Sequence, residues 1–359
     1  MNQLLTDLLT HIVDNNCSDL HLVTDFKPYA RKSGTIINLT TFEVITKAIM
    51  ESFVEEILRE FPYKKDDLDK KKQVDLSYSL GEQRFRVNVF TQMSKIGIVI
   101  RVINSKIPSL FDLGLPPLID SFSNFHSGLV LVTGPTGSGK STTLAAIIDK
   151  INKTQRKHIL TVEDPIEYVH KNKSSIVNQR EVGQDVRSFS DAVKSALRED
   201  PDIVLVGEMR DLETMSNAVT IAETGHLVFG TLHTMSAAQT VNRIIDVFEP
   251  SQQQQIRIQL ASALQAVVCQ QLVPGIDSKY RCAAEVMICD DAIRGIIREG
   301  RNVSGINDNI CMRRKEFGTQ SLDQSLASLV NKRQVSLEDA KKFAADKESL
   351  LRYISSGVV

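Results

Sequence analysis

The spacing of apolar residues changes along the chain, and each change marks a unit. Near the start Leu4, Leu5, Leu8 and Ile12 recur at helical spacing, which predicts one amphipathic helix. Residues 75–79 and 84–90 alternate apolar with polar side chains, as half-buried strands do. Just before them KKDDLDKKK (Lys64–Lys72) mixes both charges densely and reads as a solvated loop or helix end without a function. The run Ile98–Ile103 is followed by SKIPSLFDLGLPP (Ser105–Pro117), whose prolines and glycine suit a linker.

From Gly128 onward the pattern becomes short apolar runs separated by helical periods. Leu129–Thr133, Ile159–Val162, Ile203–Gly207 and Leu227–Leu232 read as buried strands, with helices predicted over Thr142–Ile151, Phe189–Glu199 and Leu212–Thr224. That alternation implies a mostly parallel sheet covered by helices on both faces. After Ser251 the chain is predicted helical, with a stripe at Ile256, Leu260, Leu264 and Val267 and a final pair near Leu322–Val330 and Leu337–Ala344. The expected organisation is α/β: a smaller domain over 1–105, a linker over 106–117, a sheet core over 118–290 and a helical region over 291–359.

Composition narrows the class of protein. At 359 residues, 42% apolar and 24% charged, the chain has the make-up of an ordinary globular protein with about two domains. Its 43 basic residues against 44 acids give a net charge of −1, which disfavours a dedicated nucleic-acid binder. No apolar run approaches the roughly 18–20 residues of a membrane span, and MNQLLTDLLTHIVDNN lacks the features of a signal peptide, so a cytoplasmic location is expected. The five cysteines, Cys17, Cys269, Cys282, Cys289 and Cys311, form no CxxC pair, which argues against a disulfide framework or a four-cysteine zinc site.

The chemistry begins at Gly134. Gly134-Pro135-Thr136-Gly137-Ser138-Gly139-Lys140-Ser141 matches GxxxxGK[ST], and Thr142 continues it into a predicted helix. Such a loop wraps its backbone N–H groups around phosphates while the helix N-terminus adds a favourable dipole. Lys140 is expected on the β- and γ-phosphates of ATP and the Ser141 hydroxyl on Mg²⁺. Glu163 ends one apolar run beside Asp164, and Glu208 follows another, the two places from which acids reach a metal or an attacking water. His226 and His233 bracket a further run, and either could sense the γ-phosphate.

These segments resemble the ordered boxes of the secretion-type ATPase superfamily. The Walker A box is similar to GPTGSGKST (Gly134–Thr142), the Asp box to TVEDPIEYVH (Thr161–His170), the Walker B box to LREDPDIVLVGEMRD (Leu197–Asp211) and the His box to TGHLVFGTLHT (Thr224–Thr234). SDLHL (Ser18–Leu22), RFRVNVF (Arg84–Phe90) and AIRGIIREG (Ala292–Gly300) narrow the resemblance to the PilT-type ATPases that retract type IV pili. The tetracysteine segment common in extension and secretion members is absent from Cys269–Ile288.

The resemblance implies a RecA-like P-loop domain, a smaller PAS-like N-terminal domain, C-terminal helices and a homohexameric ring. It implies ATP hydrolysis with Mg²⁺ held by Ser141 and Glu208, and water activated by Glu163, the two glutamates being interchangeable in role at this point. Arg86 and Arg101, with Arg84 next, are the candidates for acting in trans on a neighbour's nucleotide. Arg294 and Arg298, four apart on a predicted helix, are expected to form an edge that docks a membrane-embedded platform protein or transmits motion to it. A peripheral place at the inner-membrane pilus base and a second retraction ATPase as partner are further implications, with no nucleic acid. An extension, secretion, competence or PilU-like ATPase of the same superfamily is the alternative reading; a nucleotide-gated adaptor without turnover is another.

Overall fold

A computed structural model describes residues 2–32, 34–59, 61–81, 83–103, 106–300 and 305–357. Ser105, the first residue of the proline-containing stretch, lies outside the described residues. The chain divides into two compact units, Met1–Lys106 and Ile107–Val359.

The first unit runs α1 (Gln3–Asp14), β1 (Asp19–Val23), β2 (Tyr29–Lys32), β3 (Thr35–Asn38), α2 (Lys47–Leu58), α3 (Tyr63–Lys71), β4 (Gln73–Leu80), β5 (Gln83–Gln92) and β6 (Lys95–Val102). Its six strands pair antiparallel in the order β3-β2-β1-β6-β5-β4. One face is apolar: Phe85, Val87 and Val89 of β5 are buried while Arg84, Arg86 and Asn88 between them are not. Leu5, Leu8, Leu9 and Ile12 of α1 join the same core as Met50, Phe53 and Ile57 of α2. The mixed-charge segment is a helix in its own right, α3, and it lies on the sheet through the buried Leu68 and the Lys64 ammonium, which donates to the Asp75 carbonyl at 2.8 Å. A single apolar position among eight charges is too little signal to predict it.

The second unit opens with a 3-10 helix at Pro117–Asn124 and then alternates β7 (Gly128–Thr133), α4 (Lys140–Thr154), β8 (His158–Glu163), β9 (Ile176–Glu181), α5 (Phe189–Ala196), β10 (Ile203–Val206), α6 (Leu212–Glu223), β11 (Leu227–Leu232) and α7 (Ala237–Asp246). It continues through α8 (Pro250–Ala263), β12 (Leu264–Pro274) and β13 (Tyr280–Ile288). It ends on α9 (Asp291–Glu299), α10 (Gly305–Met312), α11 (Arg314–Phe317), α12 (Leu322–Asn331), α13 (Leu337–Phe343) and α14 (Lys347–Ser355). Seven strands form one sheet in the order β13-β12-β7-β11-β10-β8-β9, parallel except for the edge strand β13.

Every residue of β7 is buried, because alternate side chains enter two cores. Leu129 and Leu131 face the core shared with α5 to α10, whereas Val130 and Val132 face the one shared with α4 and the 3-10 helix. Each such side chain contributes about 1.5–3 kcal/mol by leaving water. A third cluster packs α12, α13 and α14 on Val273 and Ala283.

One expectation is corrected here. Leu264 and Val267 do not extend the helix that contains Ile256 and Leu260; they belong to β12, paired in parallel with β7. Val267 and Val268 enter opposite cores, so the run is apolar without a period of two, and such a run imitates a buried helix. Strand β13 likewise falls within the stretch predicted helical, and β9 lies where no element is predicted.

Candidate functional site

Parallel strands β7, β11, β10 and β8 lie side by side, so their carboxyl ends open on one edge of the sheet, where open α/β sheets bind ligands. The segments that follow them line a cavity of about 430 Å³. Its wall includes Thr136, Gly137 and Gly139–Thr142 of the loop together with Glu163, Tyr168, Glu208, Arg210 and His233.

The phosphate loop joins β7 to α4. Gly134 has φ of 140°, and a Cβ there would sit 2.2 Å from the Gln270 carbonyl oxygen of β12, so only glycine fits. Gly139, at φ of 89°, turns the chain into α4 and leaves that helix with no side-chain cap. Helices α5, α6 and α7 by contrast are capped by Ser188, Asp211 and Ser236. The free N–H groups at the start of α4 therefore face the cavity as an anion site. Lys140 donates to the carbonyls of Gly134 at 2.9 Å and Pro135 at 3.1 Å. Burial depresses its pKa, while Glu208 and Glu167 pull it back upward. Ser141 and Thr142 line the cavity, Ser138 is buried behind the loop and Pro135 is exposed.

The two glutamates have opposite surroundings. Glu163, at the end of β8, keeps an accessible edge in the cavity, but the protein around it raises its pKa to about 7; hydrogen bonds from Thr161 and Gln179 and the Glu167 backbone only partly offset this desolvation. Glu208, just past β10, is also partly desolvated, yet its pKa is lowered because Arg210 and His233 hold its charge. Arg210 Nη2 donates to Glu208 Oε2 at 2.6 Å, and His233 Nε2 lies 2.8 Å from Oε1.

The remaining predicted site residues are placed elsewhere. His226 precedes β11 at its amino end, opposite the end that carries His233, and its Nδ1 lies 3.2 Å from the Ile221 carbonyl and from Thr224 Oγ1. The expectation that either histidine could reach the phosphates is thus narrowed to His233: a strand of six residues separates the pair, and in a parallel sheet only one strand end faces the ligand. Arg86 and Arg101 belong to the first unit, opposite each other in the β5–β6 register. Arg101 Nε donates to Asp19 Oδ1 at 2.8 Å, and Arg86 lies 3.9 Å from Asp75.

Sequence reading missed Gln179, Gln270, Tyr168 and Arg210. Gln270 is 2% exposed and braces the phosphate loop from behind: Nε2 donates to the Ser138 carbonyl at 2.7 Å and Oε1 accepts from Thr143 Oγ1 at 3.0 Å. Its signal was a polar pair inside the apolar run AVVCQQLV.

A family model described as type II/IV secretion system protein matches residues 1–346. The chain belongs to that family. Among family members it is 45% identical to the type IV pilus retraction ATPase PilT of Pseudomonas aeruginosa over 96% of this chain and 99% of that one. It is 37% identical to the type IV pilus ATPase PilU of the same organism, over 98% of this chain and 91% of that one. A crystal structure of the pilus retraction motor PilT with bound ADP matches with a TM-score of 0.85 and 42% identity, covering 96% of this chain and 98% of that chain. The α/β architecture is the RecA-like fold of these secretion ATPases.

Proposed function

We propose that this protein is a motor ATPase that hydrolyses ATP to power type IV pilus retraction and twitching motility. The observation that carries this reading is the meeting, on one sheet edge, of an uncapped phosphate-loop helix, Lys140 and two glutamates whose surroundings shift their pKa values in opposite directions. Similarity to PilT along nearly the whole chain supports the job assigned to that chemistry.

In this reading Gly134–Thr142 hold the ATP phosphates and Lys140 leaves its loop carbonyls for them. Mg²⁺ fits the donors present: the Ser141 hydroxyl would ligate it and the ionised Glu208 would support it through water, and it would neutralise charge on the β- and γ-phosphates. Glu163 takes the proton of the attacking water, since a carboxylate of pKa about 7 is matched to that task near neutral pH. His233 fixes the Glu208 carboxylate and is placed to respond to the γ-phosphate. Arg86 and Arg101 act from a neighbouring subunit of a homohexamer, where a cation beside the γ-phosphate offsets developing charge. The ring works at the inner-membrane pilus base against a platform protein, with a second retraction ATPase as a further partner. No helix among the described residues is long and apolar enough to cross a membrane.

Two measurements test this. Lys140→Ala should lower steady-state ATP turnover by at least about tenfold, and wild-type turnover would reject the site. A deletion strain viewed by electron microscopy should carry surplus pili and fail to twitch. Bald cells would instead mark an extension motor.

A further inference from the structure

Gln179 lies on β9 opposite Thr161 of β8, beside the glutamate that ends the latter strand. Its one amide serves three partners. Nε2 donates to Glu163 Oε1 at 3.2 Å and to the Tyr168 carbonyl at 2.8 Å, and Oε1 accepts from the His170 N–H at 2.7 Å. Only this orientation satisfies all three, since turning the amide over would set oxygen against two acceptors and nitrogen against a donor. Thr161 Oγ1 donates to the same Glu163 oxygen at 2.7 Å, so that oxygen is held from two strands. Tyr168, whose carbonyl Gln179 holds, meets Thr142 Oγ1 through its hydroxyl at 3.0 Å, at the first turn of α4.

We propose that Gln179 is a positioning residue for hydrolysis: it fixes the Glu163 carboxylate toward the phosphate loop and locks it to the 164–170 turn that rests on α4. This rests on the reading of Glu163 as the group that activates water. A glutamate side chain has three free torsions, and reaction rates fall steeply when a reacting group is misplaced by an ångström or so. A donated hydrogen bond also favours the charged carboxylate, so its loss makes Glu163 harder to ionise.

Around the cavity the other titratable groups are Asp164, Glu167, Tyr168 and His170 on the turn, Lys140 on α4, Glu208 and Arg210 after β10, and His233 after β11. Glu181 of β9 faces the same turn, accepting from the Ile166 N–H at 3.2 Å. Gln179 donates to Glu163 but to no other carboxylate in this set, so replacing it removes a bond to that one acid.

Two variants test the proposal. Gln179→Met keeps the side-chain volume and removes all three bonds; Gln179→Glu keeps an acceptor but sets a second carboxylate beside Glu163. Affinity for a fluorescent ATP analogue with Mg²⁺, kcat, KM and the pH profile of kcat are measured for both beside Glu163→Gln. Both Gln179 variants should keep affinity and KM within about threefold and lose about tenfold or more in kcat. Their acid limbs should move to higher pH, further for Gln179→Glu. Wild-type kcat in both, a lower kcat with an unmoved acid limb, or loss of nucleotide binding in both makes Gln179 structural and overturns the proposal. Normal turnover by Glu163→Gln instead rejects the role of Glu163 itself, and is read separately from the Gln179 results.

Discussion

The carboxyl ends of β8 and β10 each present a glutamate to the same cavity, and their surroundings drive them apart. Glu163 faces neutral donors and packed protein, and its pKa rises to about 7; Glu208 is gripped by Arg210 and His233 and stays charged. Two like groups whose environments separate their ionisation can divide proton transfer from charge support. The same contrast recurs far from the nucleotide. Arg294 and Arg298 lie one turn apart on α9, yet Arg294 donates to the carbonyls of Ala261 and Ser262 and to Gln265 Oε1, closing the end of α8 and the start of β12. Arg298 is exposed, with no side-chain hydrogen bond among the described residues. Of the two arginines expected to form a docking edge, Arg294 is held by its own domain as a helix C-terminal cap, whereas Arg298 keeps an unbonded guanidinium among the described residues.

The largest effect that could break the first contrast is on turnover. Glu163→Gln should lose about a hundredfold or more in kcat while binding Mg-ATP normally, because the amide keeps the shape but accepts no proton. Lost affinity with undiminished chemistry per bound ATP would exchange the roles of the two acids. The pH dependence sharpens the same point. With Glu163 as the proposed base its ionised form would be required, so kcat should rise through about pH 7 and reach a plateau above it. Stability should run the other way: a carboxyl raised above its ordinary value stabilises the fold most below that value, and its contribution is lost as pH rises through about 7. The melting temperature of Glu163→Gln should therefore gain on that of the wild type over this range.

A smaller loss is expected at the second acid. Glu208→Gln should weaken Mg²⁺ affinity by about tenfold, seen as a rise in the Mg²⁺ concentration for half-maximal turnover, since outer-sphere partners tune metal affinity by such factors. An unchanged Mg²⁺ requirement would remove Glu208 from the metal's surroundings.

The arginine contrast predicts effects that differ chiefly in stability. Arg294→Ala leaves carbonyls at the end of α8 without donors and should cost about 1–3 kcal/mol in denaturant unfolding. Arg298→Ala should stay within about 0.5 kcal/mol. If the free guanidinium docks a partner, Arg298→Ala also keeps ATPase activity while impairing twitching in cells; equal stability losses in the two variants would erase the distinction.

The features legible in the sequence are those that follow from local rules. GPTGSGKST implies its strand, loop and helix because few other sequences combine those glycines with that lysine, and the apolar runs around it have strand length. Glu163 and Glu208 are legible because each ends such a run. Gln179 and Gln270 are not, since each acts on a residue distant in sequence: Gln270 braces Ser138 and Thr143 from a strand whose apolar spacing imitates a helix.

By itself, then, the sequence determined the family's chemistry, the order of the boxes and the apolar faces of the first helix and of the strands around residues 75–79 and 84–90, because these depend on spacing within a few residues. Only the tertiary structure decided that Leu264 and Val267 belong to a strand, that His226 and His233 lie at opposite ends of the sheet, that Arg294 closes a helix and that the two glutamates ionise differently. Pairing in a sheet and the field at a carboxylate are set by groups brought together from far along the chain, and no local period records them.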